Sequence, residues 1–379
     1  MKNIYLDNAA TTAIDPEVIQ VMSKSMQTNY GNPSSTHQFG RTAKSSVETA
    51  RKNIAKHLNA NASDLIFTSG GTEADNLILF NAVTNLGVQR IVSTKIEHHA
   101  VLHCIKHLQK TYGLEVVYIN IDEYGAIDLV NLEMILSNQE KKTLVSCMLI
   151  NNEIGTILPV DEVCDLCKKY AALFHSDTVQ TIGHYAIDVQ KTPIDFLVAS
   201  AHKFHGPKGV GFAYFKKGFG ILPMLHGGNQ EKGARSSTEN VHAILGMEKA
   251  LELAVSNIDK DKKDIIEIKK YFISALLKFN PLIQFNGYSS DMEKGSYTIL
   301  SVRFPVNNAL LLFSLDIAGI AVSGGSACQS GSNSGSHVLG EILNATEAAK
   351  TSIRFSFSKF TSKEEIDYTI EKLKLILLN

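Results

Sequence analysis

The residues best suited to chemistry lie in SAHKFHGPKGVG (200–211), where Lys203 is followed by a glycine-rich turn and flanked by Ser200, His202 and His205. The apolar run before it, Ile194 to Ala199, reads as a buried strand. A lysine that can lose its proton forms a Schiff base with a carbonyl cofactor. Ser200 and His202 beside it could hydrogen-bond a phosphate. A lone turn lysine is ordinarily a solvated surface group, so this reading depends on company elsewhere. Asp177 in HSDTVQ (175–180) stands 26 residues earlier, and a pyridinium nitrogen needs such a carboxylate to stay protonated and act as an electron sink. Gln180 could donate to a ring hydroxyl. His98, in EHHAV (97–101), could stack on a flat heteroaromatic ring and relay protons. In TSGGTEADN (68–76), a helix starting at Thr72 would point free N–H groups at an anion, making Gly71 and Thr72 phosphate-binding candidates.

The elements that must position these groups alternate strand and helix. LIFTSG (65–70), RIVST (90–94), LEVVYIN (114–120), TLVSCMLI (143–150), AALFHSD (171–177), DFLVAS (195–200) and VGFAYF (210–215) are strand candidates. Several are apolar on both faces, as in a largely parallel sheet covered by helices. The functional candidates then follow strand ends, where open α/β sheets place their sites. A long charged helix is predicted from Met247 to Phe279, followed by an α+β pattern. The 379 residues thus divide into a large domain over 13–255 and a smaller C-terminal one over 256–379, with residues 1–12 packing on the latter.

Composition excludes several classes. A net charge of −1 gives no case for direct nucleic-acid binding. No apolar run approaches the ~20 residues of a membrane span, and the N-terminus lacks the apolar core of a signal peptide; a cytoplasmic protein is the simplest reading. Five cysteines predict free thiols in a reducing compartment. Cys164 and Cys167 form a C-x-x-C, but apolar helical spacing around them predicts packed helix cysteines. His99, His103 and His107 mimic a metal face yet lack a matched carboxylate or thiolate, so no metal site is expected.

The motifs taken together resemble the NifS/IscS cysteine desulfurases. YLDNAATT (5–12), GNPSSTH (31–37), TSGGTEADN, EHHAV, NNEIGT (151–156), HSDTVQ, SAHKFHGPKGVG, GGNQEKGARSSTEN (227–240) and GGSACQSGS (324–332) occur in that family's order along essentially the whole chain. The resemblance implies the aspartate-aminotransferase-like fold (fold type I, α/β, with a smaller α+β domain), pyridoxal 5'-phosphate as cofactor, and a homodimer. It implies that Lys203 binds the cofactor covalently, His98 stacks on the ring and Asp177 faces its nitrogen. Asn152 and Gln180 flank the ring oxygen. Gly71, Thr72, Ser200 and His202 hold the phosphate, with Thr238 supplied by the other subunit. Arg354, in IRFSFS, matches the arginine that grips the substrate carboxylate; Asn32 is a further candidate for that carboxylate, and Asn152 also borders the substrate. Asp75 stands where the family commonly has asparagine, a departure to which no consequence is assigned.

Cys328 decides the reaction. Its serine- and glycine-rich surroundings predict an exposed, flexible loop. A thiolate there can attack the sulfur of bound L-cysteine and carry it away as persulfide, with L-alanine as co-product. A second branch of the family has a shortened loop and an R-x-G-x-H-C motif; the S-A-C and full-length segment here resemble the NifS/IscS branch. The implied partners are an iron–sulfur scaffold, a tRNA-thiolation protein or another sulfur acceptor. Two sequence departures, HGGNQE and Ser237, lie near Thr238. The alternatives are another fold-type I enzyme (an aminotransferase or selenocysteine lyase), which would not need Cys328, and a non-catalytic cofactor-binding scaffold.

Overall fold

The computed structural model describes residues 3–324 and 335–378. Its centre is a seven-stranded sheet in the order Leu65–Thr68, Gly211–Phe215, Phe196–Ser200, Leu173–Ser176, Thr143–Ser146, Arg90–Ser93, Glu115–Tyr118. Six of these strands run in the same direction; Gly211–Phe215 alone is reversed, antiparallel to both its neighbours. Most strand residues are buried, as expected where helices cover both faces. Each strand is shorter than its apolar run predicts; past Thr68, Ser93, Ser146 and Ser176 the chain turns away to build the site.

Gly211 shows how tightly that turn is made. It pairs with both Thr68 and Ser200, and a Cβ there would sit 2.2 Å from the Ala199 carbonyl oxygen and 2.9 Å from Gly70 Cα. Only glycine lets the three backbones meet.

A second, four-stranded antiparallel sheet runs Ser323–Gly324, Ser352–Ser356, Ile299–Arg303, Gln284–Phe285. Its core gathers Phe272, Leu300, Phe304, Phe355 and Phe357. Ile4 and Leu6 join the same cluster, and Ile4–Tyr5 pairs in parallel with Ile320–Ala321. The first residues of the chain are therefore packed on its last third.

The continuous helix predicted over Met247 to Phe279 is two, Val241–Ser256 and Ile258–Phe279, broken at Asn257. The first buries Met247 and Leu251 in the core beneath the large sheet, and the second buries Ile265, Phe272 and Leu276 in the second cluster. Two apolar faces that serve different cores cannot share one straight axis. Asp259 and Asp261 favour a new helix start by facing its positive end.

The predicted helix cysteines sit in Val160–Lys169, where Cys164 and Cys167 are buried. Burial pushes the Cys164 thiol up to about 12 and raises Cys167 as well. No helix among the described residues is long and apolar enough to cross a membrane.

Candidate active site

The ends of the parallel strands converge on one cavity of about 320 Å³. Lys203 enters it from a short 3-10 turn, Ala201–Lys203, directly after the strand Phe196–Ser200. Asp177 follows Leu173–Ser176. His98 follows Arg90–Ser93 and caps the helix His99–Tyr112, its Nδ1 accepting from the Ala100 N–H at 3.1 Å. Gly71, Thr72, Asn152, Gln180, Ser200, His202 and Arg354 also line the cavity.

The helix that offers its N-terminus starts at Gly71, one residue earlier than expected, with Gly70 as an N-cap that has no side chain to satisfy the first N–H groups. A Cβ at Gly71 would lie 2.6 Å from Val179 Cγ2, so the helix start presses against the segment carrying Asp177 and Gln180. This is a cradle for an anion, open at the backbone and flanked by Ser200 and His202.

The N-terminal segment closes the cavity from above the lysine. Lys203 Nζ donates to the carbonyls of Ala9 at 2.7 Å and Ala10 at 2.9 Å, and Gln180 Nε2 donates to Ala9 at 2.9 Å. Thr12 holds the segment in place through its N–H (2.9 Å) and hydroxyl (3.0 Å), both donating to the His202 carbonyl. Arg354, 3% exposed, donates from Nη1 to the Asn152 carbonyl (2.8 Å) and from Nη2 to Asp7 Oδ1 (2.9 Å). Its Nε is buried without a hydrogen-bond partner among the described residues. A buried guanidinium that lines a cavity and keeps one N–H unsatisfied is suited to receive a carboxylate.

Burial keeps the imidazoles neutral. His202 is driven down to about 4 by burial, with the charge of Lys203 adding to the effect. His98 is lowered for the same first reason; Lys203 lowers it further while Asp177 opposes. A neutral ring can stack on a cofactor and accept a proton. Beneath His98, Glu97 accepts from the Thr94 hydroxyl (2.8 Å) and the Met148 N–H (2.9 Å), and burial raises its carboxyl to about 8.

Sequence reasoning passed over Asp7, Asp75, Glu97, His175 and His337. Asp75 and His337 line the cavity, and the Nε2 of His337 lies 3.0 Å from the Glu97 carbonyl oxygen. The signal for Asp75 was present: it stands four residues after Gly71, on the same helix face. Two expected residues lie elsewhere. Asn32 is exposed, its Oδ1 accepting from the Ser34 N–H in a local turn at 2.9 Å. Thr238 is exposed and outside the cavity of its own chain. Cys328 lies outside the described residues.

The groups fit pyridoxal phosphate: a phosphate cradle, a lysine and a carboxylate share one cavity, with a carboxylate receptor at its edge. Residues 4–369 match the class-V aminotransferase family. The chain belongs to that family. Such class-V proteins depend on pyridoxal phosphate. Among class-V relatives, the chain is 41% identical over 378 residues to the cysteine desulfurase IscS of Dictyoglomus turgidum, spanning 99% of this chain and 95% of that one. A solved NifS-like protein, 37% identical, superposes with a TM-score of 0.91 over 100% of both chains. The structure of SspA in complex with cysteine is 27% identical with a TM-score of 0.82, covering 95% of this chain and 100% of that one.

Proposed function

We propose that this class-V enzyme is a cysteine desulfurase that converts L-cysteine to L-alanine and loads the sulfur onto Cys328 as a persulfide. The observation that carries the reading is that Arg354, whose Nε has no hydrogen-bond partner among the described residues, lines the same cavity as Lys203 and Asp177. It supplies a seat for an amino acid's carboxylate beside the lysine that must meet its amine.

When bound, pyridoxal phosphate supplies an electron-withdrawing ring that accepts negative charge from the substrate's Cα. Asp177 would hold the ring nitrogen's proton, and the helix start at Gly71 and Thr72, with Ser200 and His202, would hold the phosphate. Arg354 orients the substrate carboxylate. Lys203 would anchor the cofactor, and its amine would hold and move a proton at the substrate's Cα. His98, kept neutral by burial, accepts and returns protons on the face of the ring. Cys328, as thiolate, attacks the substrate sulfur: the new S–S bond forms as the Cβ–S bond breaks, and the electron pair of the broken bond stays with the carbon fragment. Protonation of that fragment completes alanine. An acceptor thiol then takes the outer sulfur, regenerating the Cys328 thiolate.

Several finer points belong to the same reading. The exposed Thr238 reaches a phosphate across a homodimer interface, and Asn32 assists the substrate carboxylate. The acceptor is an iron–sulfur scaffold or a tRNA-thiolation protein in the cytoplasm. The deciding experiment adds limited L-cysteine to the purified holoenzyme. The wild type gains one sulfur on Cys328, found by mass spectrometry, and yields alanine. Cys328→Ser changes colour on binding substrate but makes little alanine. Alanine release by that variant at the wild-type rate would refute the mechanism and favour aminotransferase-type chemistry.

A further inference from the structure

Asp75 and His175 face one another in the wall behind Asp177. Asp75 sits one turn into the helix Gly71–Thr84 and borders the cavity, 1% exposed. His175 lies in the strand Leu173–Ser176, two residues before Asp177, fully buried. Asp75 Oδ1 and His175 Nε2 are 3.3 Å apart, and neither atom has another hydrogen-bond partner among the described residues. The other ring nitrogen, Nδ1, lies 2.9 Å from the Ser146 hydroxyl.

Two shielded polar atoms at that separation are repelled if both are acceptors, and matched if one proton lies between them. The proton can belong to the acid, to a neutral imidazole protonated at Nε2, or to an imidazolium; the last two leave Asp75 charged. Asp75 shares its surroundings with two further buried carboxyls, Asp177 and Glu97, and the only ion-pair partner recorded for it among the described residues is His175. Charging Asp75 would set another anion beside the carboxylate that must hold the cofactor's nitrogen.

We propose that Asp75 is a positioning residue that stays protonated and donates to Nε2 of His175, tying the phosphate-binding helix start to the strand that presents Asp177. His175 in turn donates from Nδ1 to Ser146. The link spans the two elements that hold opposite ends of the cofactor, so it sets the spacing between the cradle at Gly71 and the carboxylate at Asp177. The electrostatics agree: burial, aided by the charges of Asp177 and Glu97, holds Asp75 well above the usual carboxylate range, and burial pushes His175 down to about 3. The proposal rests on the reading of Asp177 given above.

Infrared spectroscopy of the cofactor-free protein tests the proton directly, with no dependence on Asp177's role. At neutral pH the wild type is expected to show a protonated-carboxyl C=O band that shifts in D2O and is missing from Asp75→Asn. Glu97→Gln identifies the separate contribution of Glu97. An Asp75 that contributes only carboxylate bands would overturn the proposal. Cofactor binding tests the link. The amide of Asp75→Asn can make the same donation, so its pyridoxal phosphate affinity should stay within about twofold of wild type. Asp75→Ala, which has no donor, should bind about tenfold more weakly, the worth of one hydrogen bond. Equal losses in the two variants would also refute the proposal. Asp177→Asn, titrated in parallel, reports separately on the reading of Asp177.

Discussion

Replacing Arg354 by lysine keeps the positive charge and removes the planar fork, which makes it the sharpest test of the substrate seat. In the structure Nη1 and Nη2 are committed to the Asn152 carbonyl and Asp7, and Nε is left for the ligand. Lysine reaches the same place with a single ammonium, so at least one charge-assisted bond to the substrate carboxylate is lost. Such a bond contributes ~1.5–3 kcal/mol. At ~1.4 kcal/mol per decade, kcat/KM should fall roughly 10- to 100-fold. Because the carboxylate does not change during the reaction, the loss should appear chiefly in KM, with kcat within a few-fold. The assay is alanine formed against L-cysteine concentration, with cofactor content and thermal midpoint measured on the same preparations. Cysteamine, which lacks the carboxylate, provides an internal reference: wild type should prefer cysteine strongly, and Arg354→Lys should lose most of that preference. A variant with wild-type KM and undiminished preference would show that the carboxylate is held elsewhere.

Asp177→Asn should lower kcat by roughly 10²–10⁴, since losing the charge paired with a buried cationic ring nitrogen costs ~3–5 kcal/mol; stopped-flow absorbance measures it, and near-wild-type turnover would assign the ring nitrogen to another acid. Glu231→Gln should destabilise the fold by up to ~3 kcal/mol in urea unfolding, because it removes the buried carboxylate that both Nη atoms of Arg51 reach at 2.7 Å and leaves the more exposed Glu48, at 3.2 Å, as its ion-pair partner. Lys269 is fully buried, donates to the Ser296 carbonyl at 2.6 Å, and is lowered by burial from 10.5 to about 7. The unfolded chain therefore binds the extra proton between those values, so stability should rise with pH from about 7 towards 10.5. Lys269→Met should be more stable at neutral pH and flatten that rise in pH-dependent thermal melts.

Much of the site is legible in the sequence because each of its groups occupies a locally determined position. A strand ends, the backbone turns, and a residue within the next few positions lines the cavity; Gly71, His98, Asp177 and Lys203 all follow this rule. Alternating apolar runs likewise announce a sheet covered by helices, since burial on both faces requires them. The same local logic failed at Asn257, where the helical pattern continues but the two halves serve different cores.

Tertiary structure alone decided the contacts between distant segments. Nothing in YLDNAATT indicates that Ala9 and Ala10 cap Lys203, or that Asp7 pairs with Arg354, because those carbonyls and carboxylates acquire partners only when the first strand joins Ile320–Ala321. Asp75 and His175 are similarly mute in sequence, being separated by a hundred residues and several strands. Their chemistry comes from sharing a dry wall 3.3 Å apart, where water can no longer satisfy either atom and a single proton must serve both.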